Sequence, residues 1–167
     1  MAEETTLVGA DFHIRRAVSS DCPAMLQLVR ELAEYEKALD KVTVSLEEMT
    51  ACGFGPKPIW GAYVVELKGD AAAEAGNPTV VGMALYHDRY STWKGRLLYL
   101  EDFVVSESYR GKGIGHALFE CVLAHAKREG YQGMVWQVLE WNEPALNFYR
   151  KYNADLDPEW VNGMIFF

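Results

Sequence analysis

Apolar positions along this chain recur with two periods, and the change from one to the other marks out its elements. Phe12 to Ala17 read as a short first strand. Met25, Leu28, Val29, Leu32 and Tyr35 then repeat at helical spacing, which predicts a helix to about Glu36. Ser19-Ser20-Asp21 offers its caps, and Pro23 is tolerable in its first turn. Ser45-Leu46-Glu47-Glu48 has capping-box form and starts a second, short helix, which Gly53-Phe54-Gly55-Pro56-Lys57-Pro58 ends. Three strand-like segments follow, Ile59 to Lys68, Thr79 to Tyr90 and Arg96 to Val105. The linker from Gly69 to Pro78 reads as a mobile hairpin loop. Ile114, Leu118, Cys121, Val122 and His125 mark one face of a further helix, with Gly130 as its stop. Met134 to Leu139 reads as a strand, Pro144 to Tyr152 as a short helix and Gly163 to Phe167 as a last strand. Residues 1–10 read as a loose leader and 11–167 as one α+β domain, a mixed central sheet flanked by helices.

Composition narrows the function classes. A chain of 167 residues, half of them hydrophobic, is long enough for one domain with a sizeable core. The formal net charge of −8 argues against nucleic acid or an anionic membrane as partner, and is compatible with a cationic substrate. Cys22, Cys52 and Cys121 are odd in number and widely spaced, forming neither a metal-ligand pair nor a disulfide framework, as expected in the cytoplasm. The acidic start Met1-Ala2-Glu3-Glu4-Thr5 has no secretory pattern. No run approaches the roughly 18 apolar residues of a membrane span. The histidines His13, His87, His116 and His125 show no metal-ligand spacing, so no metal is expected.

The stretch Tyr109-Arg110-Gly111-Lys112-Gly113-Ile114-Gly115 carries the most chemistry. It follows the apolar run Leu97 to Val105 and opens a helix, so unpaired backbone N–H groups face an incoming anion. Small glycines let that backbone approach a diphosphate closely. It is neither Gly-x-x-x-x-Gly-Lys-Ser/Thr nor the dinucleotide Gly-x-Gly-x-x-Gly. Arg-x-x-Gly-x-Gly instead resembles the acetyl-CoA pyrophosphate loop of the GNAT N-acetyltransferases. Glu31 to Lys37, Gly53-Phe54-Gly55, Tyr90 to Arg96, Tyr99-Leu100-Glu101-Asp102 and Glu140 to Pro144 together resemble the spermidine/spermine acetyltransferases and their thialysine branch. The polyamine enzymes carry an acidic residue before the tryptophan; here Ser91-Thr92-Trp93 is more like the thialysine branch.

The resemblance implies a GNAT-type domain that transfers acetyl from acetyl-CoA to a primary amine of a thialysine-like, diamine or polyamine-like molecule. A protein acetyltransferase and a weak acyl-CoA sensor are the alternatives. An ammonium must lose its proton to become nucleophilic, and the departing thiolate benefits from a donor. The resemblance makes Glu101 the base and Tyr149 the donor; the plainer readings are a strand carboxylate in an ion pair and a packed helix tyrosine. Phe103, Val104 and Val105 would offer backbone groups to the pantetheine arm. Arg110, Gly111, Lys112, Gly113, Ile114, Gly115 and His116 would hold the pyrophosphate, and Asn142, Glu143, Pro144 and Ala145 would line the other side of the cofactor cleft. Tyr35 and Glu36 would contact substrate. Asp102 is a weaker candidate, since strand alternation turns it away from Glu101 unless a bulge intervenes. Relatives are commonly homodimers.

Overall fold

Among the described residues every strand joins one ladder, and that ladder runs in chain order. The computed structural model describes residues 9, 11–76 and 79–166. A five-stranded sheet has the order β1-β2-β3-β4-β5: Phe12–Arg16, Gly61–Leu67, Val80–Ser91, Gly95–Val105 and Met134–Trp136. The first four are antiparallel. At the other edge, Gln132 N–H donates to Arg96 O and Leu98 N–H to Gly133 O, so the register advances in the same direction along both segments and the sheet is mixed.

The chain divides into two units, Met1–Val135 and Trp136–Phe167. In the first, helices cover both sheet faces. Cys22–Tyr35 (α1) and Leu46–Phe54 (α2) bury Met25, Leu28 and Met49 against Ala62, Val64, Met83, Leu85 and Val104. Ile114–Arg128 (α4) packs on the other face, where Phe119 meets Phe103 edge-on at 5.5 Å and His125 lies against Tyr63 and Tyr86. The predicted apolar face of α4 is buried throughout. β2 is buried on both faces, so its sequence reads as a continuous apolar run rather than an alternating one.

Local chemistry explains the boundaries. Pro23 sits in the first turn of α1, as expected. Asp21 does not cap the helix with its side chain; it accepts from the Arg15 guanidinium at 2.7 and 2.9 Å and from Val18 N–H. Burial opposes its ionisation, but the Arg15 and Val18 hydrogen bonds win and hold its pKa low. Ser45 Oγ accepts from Glu48 N–H and starts α2 as the capping box predicts.

Three sequence expectations are corrected. The linker after Lys68 is not a structureless loop: Gly69–Ala75 is a helix (α3). Ala71-Ala72-Ala73-Glu74-Ala75 are strong helix formers, and glycines with positive φ, Gly69 and Gly76, bound them. The strand expected over Met134 to Leu139 stops at Trp136. The strand expected over Gly163 to Phe167 is absent over 163–166, where Met164, Ile165 and Phe166 are exposed; Phe167, like the leader apart from Gly9, lies outside the described residues. An apolar stretch becomes a strand only where a ladder accepts it.

Candidate active site

β4 carries a bulge where the chemistry was expected. Leu85 of β3 faces Asp102 and Tyr86 faces Leu100, so Glu101 is the extra residue. On β3 the alternate residues Met83 and Leu85 pack in the core beneath α1, with Val104 and Asp102 opposite them. His87, opposite Tyr99, continues this face. Glu101, released from alternation by the bulge, reaches the same face: its Oε2 lies 3.2 Å from His87 Nε2. The bulge is the exception that strand alternation allowed for, and it brings Glu101 to the side of Asp102.

The result is a concentration of carboxylates. Asp102 is half-buried and feels the charges of both Glu101 and Glu36, the residue that ends α1. Burial first, then these two like charges, push its pKa up to about 6. Burial also raises the pKa of Glu36. Asp102 thus sits within electrostatic reach of both other acids, an arrangement that costs stability and attracts cations.

The glycine turn lies at the end of the same strand. Gly111 and Gly113 have φ of 73° and 79°, left-handed values that glycine adopts without strain. Gly113 occupies the N-cap of α4, so no cap side chain competes for the first-turn N–H groups, and no acidic residue lies in that turn. Arg110 turns inward: its Nε donates to Val105 O at 2.8 Å and its guanidinium lies 5.4 Å from the Tyr35 ring. Lys112 lies over the Tyr109 ring at 5.1 Å. Ile114 anchors the helix start in the core, while Gly115 and His116 complete the first turn. A cleft of about 520 Å³ opens between α1 and this turn, lined by Glu31, Glu34, Tyr35, Ser106 and Arg110 among others. The Ser106 hydroxyl, donating to Glu31 at 2.7 Å, ties its two walls.

Phe103, Val104 and Val105 pair with Ala84, Met83 and Gly82 along one edge of β4. On the other edge, β5 is three residues long against eleven in β4. Phe103 is half-buried against Phe119; Val104 and Val105 are buried.

The second unit contains Glu143–Arg150 (α5). Asn142 caps it, accepting from Ala145 N–H at 3.3 Å, and Pro144 takes the first turn. Glu143 pairs with Arg150 at 3.2 Å. Tyr149 is buried, its ring 4.8 Å from that of Trp136 and edge-on to Phe148. Burial pushes its pKa up to about 12, so the phenol holds its proton throughout the neutral range. His87 was missed by sequence reasoning, because nothing in its neighbours announces a contact fourteen residues away.

Residues 27–154 match the model of the acetyltransferase (GNAT) family. The chain belongs to this family. It is 44% identical to a thialysine N-epsilon-acetyltransferase of Bos taurus, over 84% of this chain and 82% of that one. It is 36% identical to a spermidine/spermine N(1)-acetyltransferase-like protein 1 of Homo sapiens, over 89% of this chain and 21% of that longer one. An aminoglycoside acetyltransferase from a soil metagenome shares the fold, with a TM-score of 0.71 at 18% identity, covering 93% and 96% of the two chains. The GNAT chain described here is thus an acetyltransferase, as the glycine turn implied. Among the described residues no helix is long and apolar enough to cross a membrane.

Proposed function

We propose that this GNAT enzyme transfers the acetyl group of acetyl-CoA to a primary amine of a small dicationic or polyamine-like molecule, with thialysine-like substrates foremost. The observation that carries the reading is the set of carboxylates Glu36, Glu101 and Asp102 around the β4 bulge. One ammonium group delivers its proton to Glu101 and becomes the nucleophile. A second, distal ammonium is held by Glu36 and Asp102 beside Tyr35. The resemblance to thialysine enzymes supports the same substrate class.

In this reading the amine nitrogen attacks the thioester carbon directly, the C–S bond breaks, and Tyr149 protonates the thiolate. No covalent enzyme intermediate is needed. The pyrophosphate of acetyl-CoA is held by the backbone of Arg110 to His116. The pantetheine amides extend the β4 edge at Phe103 to Val105, the edge that short β5 leaves largely open. Asn142 to Ala145 are further candidates for contacting the cofactor. The domain of residues 11–167 acts in the cytoplasm as a homodimer, a state that exposed apolar side chains such as Tyr90 and Trp93 at the β3–β4 hairpin support.

The test is thiol release from acetyl-CoA with a panel of amines: thialysine, ornithine, short diamines, spermidine, monoamines of matched length and lysine peptides. Dications should exceed matched monoamines, with an advantage that shrinks as salt rises. Equal rates for both, or activity on peptides alone, would overturn the reading.

A further inference from the structure

His87 makes two contacts that together dictate where its proton must be. Its Nδ1 lies 3.0 Å from the carbonyl oxygen of Asp88, and its Nε2 lies 3.2 Å from Glu101 Oε2. A backbone carbonyl has no proton to donate, so Nδ1 carries the hydrogen. In the neutral imidazole Nε2 is then a bare lone pair, and it faces a carboxylate oxygen. Two acceptors at 3.2 Å repel unless a proton lies between them. The ring is held in this orientation by stacking on Tyr99, with centroids 5.0 Å apart and planes at 26°.

We infer that His87 is a second proton carrier behind Glu101: the gap between Nε2 and Oε2 is the seat of the proton taken from the substrate. The inference rests on Glu101 being the base, as proposed above. The ammonium N–H bond breaks, an O–H bond forms on Glu101, and the proton then settles on Nε2, giving a carboxylate and an imidazolium. The imidazolium returns it to solvent, to which His87 is partly open. A lysine-like ammonium has a pKa of about 10.4, a free carboxyl about 4.3 and a free imidazole about 6.5. An imidazole is a stronger base than a carboxylate, so delivery to the imidazole is the smaller climb. The pair lowers the climb without moving the carboxylate from the substrate.

Among the described residues, the other groups around His87 are few. β4 presents Glu101 and the Tyr99 phenol, with Asp102 beyond Glu101. β3 contributes Asp88, bonded to Arg96 and Tyr131, and Arg89, which lies 5.7 Å from the Tyr99 ring. On the β2 side the pairing ends at Gly61 opposite Tyr86, one residue before His87.

Two readouts test this. Nitrogen NMR of the ¹⁵N-labelled protein should find neutral His87 protonated at Nδ1; protonation at Nε2 would overturn the inference even in an inactive preparation. In kinetics, His87→Gln keeps a hydrogen-bonding group, and His87→Phe keeps a ring on Tyr99, but neither can take a proton. Both should move the acid limb of kcat/KM to lower pH and lower the plateau by up to about 100-fold. Acetyl-CoA affinity and melting temperature should stay near those of the unaltered enzyme. A reduced plateau with an unmoved limb would make His87 a packing residue and refute the inference. Absence of thiol release by the unaltered enzyme would instead count against the proposed function.

Discussion

Replacing Asp102 with Asn should make this protein more stable and a poorer catalyst at once. The folded-state pKa of Asp102 rises from 3.8 to about 6 because burial and the charges of Glu101 and Glu36 oppose its ionisation. Each pKa unit is worth 1.36 kcal/mol, so keeping the charge above pH 6 costs the fold about 3 kcal/mol as an upper bound. The sign follows from the raised value. Well below pH 3.8 the carboxyl is neutral in both states and the cost vanishes; it grows from there to about pH 6 and is complete above. The amide is close in size and carries no charge. Asp102→Asn should therefore raise the melting temperature at pH 7.5, by up to about 6–12 °C at the 2–4 °C per kcal/mol usual for a chain of this length. Well below pH 3.8 the two melting curves should nearly coincide. The same variant should raise KM for a dicationic amine while leaving the affinity for acetyl-CoA unchanged. The assay is a pair of thermal melts at each pH beside steady-state thiol release. A lower melting temperature for the variant at pH 7.5 would mean that the charge is a net stabiliser, and the reasoning would fail.

Three further outcomes are expected. Glu101→Gln should depress kcat/KM most at neutral pH and progressively less as the amine's own pKa is approached, with normal acetyl-CoA binding; a pH-independent deficit with a lowered melting temperature would leave Glu101 a structural ion-pair residue. Tyr149→Phe should lower kcat by about 10²- to 10⁴-fold with cofactor affinity preserved, and a fully active variant would move the donor role to solvent or Tyr152. A Cβ added at Gly113 meets no atom within 4 Å, but φ of 79° is one that the β-branched residue of Gly113→Val adopts only under strain. It should weaken acetyl-CoA binding by at least about tenfold, and calorimetry giving unchanged affinity in a folded variant would remove the turn from the cofactor site.

What the sequence determined by itself was the part written in neighbouring residues. The period of Met25, Leu28 and Leu32, the Ser45 cap and the glycines at 111 and 113 act within a turn or two of chain, so α1, α2 and the turn before α4 were legible. The glycine turn was legible as a motif for the same reason, whereas the role of Glu101 came from resemblance to a family. Tertiary structure decided which segments found partners. Met164, Ile165 and Phe166 have strand composition but no ladder over the described residues, while the stretch after Lys68 formed α3 because local alanine propensity needed none. It also decided the face on which the acids meet. A single extra residue in β4 turns Glu101 to the side of Asp102 and His87, and pairing register is a property of two strands that neither carries alone.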